Sequence, residues 1–237
     1  MHLIHVDKDP RSADQQIADE IRHDLAHRRL LMINLISSPG SGKTTLLEKA
    51  LPKLARNLRL AVIEADNATT NDADRLNAVG AVVAPVCTGI TSCHLSSAST
   101  QKALADLPLD ELELIVVENV GNMVCPAEED IGEDYKIAIL SVAEGEDKPQ
   151  KYPLLFQEAD LVLINKIDVA DALEADVDLM EQNIRNANPN IDVMRMSART
   201  GAGIDCWVEW IIEKAAGKKK TAIDHHHHDH DHHDHDH

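Results

Sequence analysis

The sequence predicts an α/β protein whose mostly parallel sheet is covered by helices on both faces. Short, continuous apolar runs at residues 30–36, 58–63, 112–117 and 161–164 alternate with stretches of helical periodicity. A strand that is apolar on both faces belongs in a parallel sheet buried by helices rather than in a sheet with one wet face. Polar clusters follow the runs, at residues 37–44, 64–66, 118–121, 165–168 and 197–201. In a parallel sheet these share one rim, where ligands of open α/β folds bind. With 2% aromatic residues in a 43% hydrophobic chain of 237 residues, the core must be aliphatic, and the length suits one domain with two tails.

Residues 12–29 carry Ile17, Ile21 and Leu25 at helical spacing with Ser12 as N-cap, which predicts a helix within an N-terminal extension, residues 1–29. The strand at 30–36 then runs into Ser37-Ser38-Pro39-Gly40-Ser41-Gly42-Lys43-Thr44 and a helix-forming stretch from Thr45. Strand, glycine-containing loop, Lys-Thr and helix form the context of a P-loop, whose backbone N–H groups and helix N-terminus converge on phosphate oxygens. Pro39, Gly40, Ser41, Gly42, Lys43, Thr44 and Thr45 are the expected phosphate contacts, with Lys43 on the terminal phosphates and the Thr44 hydroxyl placed for magnesium. Ser37 stands where G-x-x-x-x-G-K-[ST] expects its first glycine. Further strands are expected at 58–63, 81–86, 112–117, 136–142, 161–164 and 191–196, and helices at 70–79, 92–107, near 154–158, 172–185 and 204–215. Residues 30–216 then make a P-loop nucleotide-binding domain, with a flexible tail at 217–237 that starts in a linker at 217–221.

Leu161-Val162-Leu163-Ile164-Asn165-Lys166-Ile167-Asp168 puts Asn-Lys-x-Asp directly after a buried strand. The Asp168 carboxylate can accept two hydrogen bonds from the ring N–H and exocyclic amine of guanine, a pair that adenine lacks. Asn165 can tie neighbouring loops together, and the Lys166 stem can cover the base. About thirty residues on, Ser197-Ala198-Arg199-Thr200-Gly201 looks like the loop of GTPases whose backbone N–H, here at Ala198, meets the guanine O6. The expected ligands are therefore GTP and GDP. Glu118-Asn119-Val120-Gly121 occupies the place of the Asp-x-x-Gly of small GTPases, and the longer Glu arm suits magnesium contact through water. Lys43, Asp66 and Glu118 are the candidate catalytic residues, with Thr44, Asp66 and Glu118 around magnesium. Positioning and charge stabilisation suffice for slow hydrolysis, and no glutamine or arginine finger is evident.

The net charge of −18 and the lack of a Lys/Arg cluster on an expected helix face argue against a nucleic acid or an anionic membrane as partner. No apolar run of about 18 residues is present, and Met1-His2-Leu3-Ile4-His5 lacks the pattern of a signal peptide, so the cytoplasm is the expected compartment. The four cysteines are too few and too irregular for a disulfide framework. Cys93, His94 and Cys125 offer thiolate and imidazole, a set suited to zinc or nickel, and neighbours on one chain would leave part of a tetrahedral shell for a second copy. The other reading takes the cysteines as small buried residues and His94 as a helix-start side chain. From Asp224 onward the chain holds only Asp and nine His: His225, His226, His227, His228, His230, His232, His233, His235 and His237. That composition cannot build a core and would bind several nickel or zinc ions weakly.

Taken together, the P-loop with its leading serine, Ile63-Glu64-Ala65-Asp66, Thr88-Gly89 followed by Cys93-His94-Leu95, Glu118-Asn119-Val120-Gly121-Asn122, Cys125-Pro126 and Glu144-Gly145-Glu146-Asp147-Lys148-Pro149-Gln150-Lys151-Tyr152-Pro153 resemble the HypB family, GTPases that assist nickel insertion into [NiFe]-hydrogenase. The resemblance implies a SIMIBI-type GTPase fold and a GTP-dependent homodimer, with Cys93, His94 and Cys125 holding nickel or zinc at the subunit interface. It implies as partners other hydrogenase maturation factors and the hydrogenase large subunit. Ser37 at the first P-loop position is then a family trait. Residues 1–10 hold no Cys, so the cysteine-rich N-terminal nickel motif of some members is not carried over. A urease-accessory GTPase would instead place a Cys-x-His pair after the Glu-x-x-Gly region. A nickel-storage protein with a vestigial GTPase is opposed by the intact Lys43, Thr44, Asn165 and Asp168.

Overall fold

A computed structural model describes residues 10–66, 71–89 and 93–227. Among them, strands β1 (Leu31–Ser37), β2 (Leu60–Asp66), β3 (Val82–Cys87), β4 (Leu114–Glu118), β5 (Tyr135–Ser141), β6 (Leu161–Asn165) and β7 (Asp192–Arg195) form one sheet in the order β3-β2-β4-β1-β5-β6-β7. Every pair is parallel, so all carboxyl ends lie on one rim, as the continuous apolar runs predict. The helices are α1 (Pro10–Arg28), α2 (Lys43–Leu54), α3 (Asn71–Ala78), α4 (Ser97–Ala105), the single turns α5 (Cys125–Glu128) and α6 (Lys148–Lys151), α7 (Pro153–Glu158), α8 (Val177–Ala187) and α9 (Ile204–His227).

The period-two alternation of a strand sends successive side chains to opposite faces, and central β1 divides the core accordingly. Leu31, Ile33 and Leu35 pack with Leu46, Leu47 and Leu51 of α2 and with Trp207 and Ile211 of α9. On the other face Met32 meets Ile21 and Leu25 of α1 and Leu104 of α4, while Ile36 meets Phe156 of α7 and Met180 of α8. Each such fully buried aliphatic side chain contributes about 1.5–3 kcal/mol. The second face is interrupted at Asn34, a fully buried amide that donates to Glu133 Oε1 at 3.1 Å and accepts from Asn119 at 3.2 Å.

Several boundaries depart from the sequence expectation. α1 starts at Pro10, so Ser12 lies inside it rather than capping it; proline suits a first turn, whose N–H has no helical partner. α4 starts at Ser97, because the Ser96 side chain caps it by accepting the Ser99 N–H at 3.2 Å. Cys93 and His94 therefore lie in the loop before the helix, not at its opening. α8 begins only at Val177, where Asp176 accepts the Leu179 N–H at 2.9 Å. The expected linker at 217–221 instead continues α9. Its lysines find partners that local sequence does not show: Lys218 reaches Asp134 and Lys219 reaches Glu113, at the amino ends of β5 and β4. Burial raises the Glu113 carboxyl, but the hydrogen bonds from Lys219 and from the Arg59 N–H outweigh it and hold the pKa below the ordinary carboxylate value. Residues 1–9, Thr70 and Ser92 lie outside the described residues, as do His228, His230, His232, His233, His235 and His237 of the tail. No helix among the described residues is long and apolar enough to cross a membrane.

Candidate nucleotide site and adjoining Cys/His cluster

β1 ends at Ser37, and the loop turns through Gly40 at φ 71° and Gly42 at φ 102° before α2 begins at Lys43. Both angles lie in the left-handed region that favours glycine. At Gly42 space adds a second reason, since a Cβ would sit 2.6 Å from Asn165 Nδ2. Ser37, the departure from the glycine pattern, ties the loop together. Its Oγ accepts from Lys43 Nζ at 2.8 Å and from Ser41 Oγ at 2.5 Å, and donates to the Ser38 carbonyl at 2.9 Å. Burial pulls the Lys43 pKa down, with Glu118 the chief opposing charge. The loop opens on a cavity of about 430 Å³ whose walls include Lys43, Thr44, Glu64, Asp66 and Glu118.

Across that cavity the Thr44 hydroxyl donates to Glu118 Oε1 at 2.7 Å, while Glu118 Oε2 is buried without a partner. Glu64 stands directly beside Glu118 in the β2–β4 register. Burial, then the neighbouring carboxylates, push Glu64 up to about 8; burial also raises Glu118 to about 7, the Thr44 hydrogen bond opposing it. An orphaned buried carboxylate oxygen beside a hydroxyl and a second carboxylate is a hard-oxygen donor set, which fits magnesium. Glu64 was not among the expected site residues. Its signal was a lone Glu in the run Leu60-Ala61-Val62-Ile63-Glu64, which is 3% exposed. Arg75 of α3 also lines the cavity, held by Glu48 at 2.7 Å and Asp72 at 2.9 Å.

At the far end of the P-loop, Asn165 joins two loops as expected: its Nδ2 donates to the Ser41 carbonyl at 2.8 Å, and its Oδ1 accepts the Ala198 N–H at 2.9 Å. The second bond engages the N–H that the sequence assigns to a base oxygen. Asn165 is fully buried, and a buried amide takes the nearest donor. Lys166 lies across the loop with Nζ 2.6 Å from the Gly40 carbonyl. Asp168 accepts from Ser197 Oγ at 2.5 Å and from Arg199 Nε at 2.8 Å, and these bonds, Ser197 first, hold its pKa below the ordinary value.

On the same rim, Cys93 Sγ lies 2.7 Å from Cys125 Sγ and 3.6 Å from His94 Nδ1, and the ligand atoms of Cys93, His94 and Cys125 all fall within 4.8 Å of one another. Glu129 approaches His94 Nε2 at 3.7 Å. The contact with Cys125, and then burial, raise the Cys93 thiol pKa. Cys93 is exposed and Cys125 half-buried, which removes the reading of this pair as core residues. Two thiols and an imidazole at the surface make an incomplete soft-donor shell, open on its outer side.

Residues 31–195 match the family described as CobW/HypB/UreG, nucleotide-binding domain. The hydrogenase maturation factor HypB of Escherichia coli K12 is 44% identical over 209 residues, covering 88% of this chain and 72% of that protein. The hydrogenase/urease maturation factor HypB of Helicobacter pylori is 33% identical over 201 residues, covering 83% and 82%. The crystal structure of HypB from Helicobacter pylori in complex with nickel superposes with a TM-score of 0.81 at 32% identity, over 86% of this chain and 96% of that one. The P-loop, the base-end loop and the match over most of the chain agree, and the chain belongs to the CobW/HypB/UreG family and, within it, to the HypB GTPases of hydrogenase maturation.

Proposed function

We propose that this GTPase is a nickel metallochaperone which assists nickel insertion into [NiFe]-hydrogenase. The observation that carries the reading is the convergence of Cys93, His94 and Cys125 to within 4.8 Å on the rim that also bears the P-loop. Three donors on a surface leave a position for a ligand from a second copy, and the likeness to HypB adds the rest of the reading, a homodimer formed with GTP that carries nickel or zinc between its subunits. Hydrogenase maturation factors and the hydrogenase large subunit are the partners, in the cytoplasm.

In hydrolysis Pro39, Gly40, Ser41, Gly42 and Thr45 cradle phosphates, and Lys43 leaves Ser37 for the terminal phosphate. Asn165, Lys166, Asp168, Ser197 and Ala198 form the base end, with Ala198 acting through Asn165. Thr44 and Glu118 would hold magnesium, with Asp66 beside them, and the ion would supply positive charge for the developing negative oxygens. Asp66 also orients the attacking water. The Helicobacter relative, named for hydrogenase and urease, favours a second reading in which urease is also an acceptor.

The tail, with its nine His, is a loose nickel store separate from the Cys/His site. Ending the chain after Ala222 keeps Lys218 and Lys219 on their partners and is expected to remove most weak nickel sites while leaving GTP turnover near its original rate. Equal nickel stoichiometry in the full and shortened chains refutes the store. In the shortened chain Cys93→Ala and Cys125→Ala are each expected to abolish the remaining tight site; unchanged tight binding in both excludes the Cys/His assignment.

A further inference from the structure

Between Glu118 and Cys125 the chain makes three contacts that join the phosphate loop to the metal-ligand loop. Gly121 presses on the P-loop, where a Cβ would meet Pro39 Cα and Cγ at 3.0 Å. The next residue, Asn122, pairs its backbone with Ser37 in an isolated antiparallel bridge. Its side chain then faces the other way, with Nδ2 donating to the Cys93 carbonyl at 3.1 Å and Oδ1 accepting the Val124 N–H at 3.0 Å. Asn119 holds the other side of the same loop: its Oδ1 accepts the Leu95 N–H at 3.1 Å and its Nδ2 donates to buried Asn34. Cys93 is thus gripped at its carbonyl by a residue bonded to Ser37, and Ser37 is the residue on which Lys43 rests.

We propose that Asn122 is the positioning residue through which the state of the phosphate site sets the geometry of the Cys93–Cys125 pair, a step that rests on the nickel reading above. Asn119 is fixed to the buried Asn34–Glu133 network and acts as the pivot at Leu95. Asn122 has no such anchor and follows Ser37. When Lys43 leaves Ser37 for a terminal phosphate, the Ser37–Asn122 bridge shifts, and the Asn122 amide draws the Cys93 carbonyl with it while Leu95 stays. The Cys93 sulfur then moves against Cys125, which heads α5 and follows the segment from its other end. Tightly packed elements respond to such a displacement by switching between discrete arrangements, and linkage requires nucleotide and metal to alter each other's affinity by one common factor.

The test uses the full chain and reads nickel–thiolate charge-transfer absorption, which the His/Asp tail cannot give. Nickel affinity is measured with GDP and with a non-hydrolysable GTP analogue for the native protein, Asn122→Ala and Asn122→Asp. The Asp variant keeps the shape and the Val124 acceptor; in place of the donor to Cys93 it sets a charged oxygen against that carbonyl, and Asn122→Ala removes the donor without adding charge. The expected native ratio between the two nucleotide states is roughly 5- to 150-fold, falling to about one in both variants while each still binds nucleotide. A ratio that survives in Asn122→Asp overturns the role of the amide, because a merely structural turn residue tolerates that change. A native ratio of one overturns the coupling while leaving the nickel site standing. Absence of the absorption band in the native protein refutes the nickel reading and this inference together.

Discussion

Asp168→Asn is expected to weaken GTP roughly 10²- to 10³-fold and to open the site to xanthosine triphosphate. Ser197 Oγ and Arg199 Nε each hold one oxygen of the carboxylate, so its plane is fixed before a base arrives. Each oxygen keeps a further lone pair, one for the ring N–H of guanine and one for the exocyclic amine. An amide in the same place must present an N–H to one of those donors, leaving both unsatisfied. Xanthine replaces the amine by a carbonyl, which that N–H can serve. Competition titrations with GTP, xanthosine triphosphate and ATP read the change directly. Unchanged GTP affinity in the variant would show that the base lies elsewhere.

The place of Asn165 and Asp168 at the carboxyl end of a buried strand was legible in the sequence, because Asn-Lys-x-Asp follows a run apolar on both faces, and such a strand has few alternatives. The P-loop and the common rim were legible for the same reason. Features decided by contacts between distant segments were not. Cys93-His94 continues the pattern of the following helix, and only the Ser96 cap shows where the helix starts. Gly217 followed by three lysines reads as a linker until Asp134 and Glu113, more than 80 residues earlier, supply the partners for Lys218 and Lys219. The bond at the Ala198 N–H was not legible either, because its acceptor, the Asn165 side chain, enters from a loop about thirty residues upstream. Glu64 lies inside the β2 run, two positions before its polar end at Asp66, where local sequence shows no partner for a carboxylate. The β2–β4 register, which sets Glu64 beside Glu118, is a property of the sheet and not of either strand.

That pair underlies the other large effect. Glu118→Gln is expected to lower GTP turnover about 10²- to 10³-fold, the scale on which one preorganised electrostatic group acts, and to raise rather than lower the melting temperature of the nucleotide-free protein. The amide oxygen still accepts the Thr44 hydrogen bond now made by Oε1. What disappears is the charge that burial opposes. Glu118 at about 7 and Glu64 at about 8 both lie above the ordinary value of 4.5. Between pH 4.5 and 8 the unfolded chain therefore releases protons that the folded one retains, and stability falls as pH rises through that window. The native protein should melt higher at pH 5.5 than at pH 8, a slope worth on the order of a few kcal/mol, and Glu118→Gln should flatten it. Cation binding runs the other way, because protons must leave before a divalent ion enters, so at limiting magnesium turnover should rise from pH 6 to 8. Scanning calorimetry across pH and single-turnover hydrolysis across magnesium concentration separate the two effects. A Glu118→Gln protein that turns over within a factor of about three of the native rate, or that melts lower at pH 8, would mean that this carboxylate is held for packing and not for catalysis.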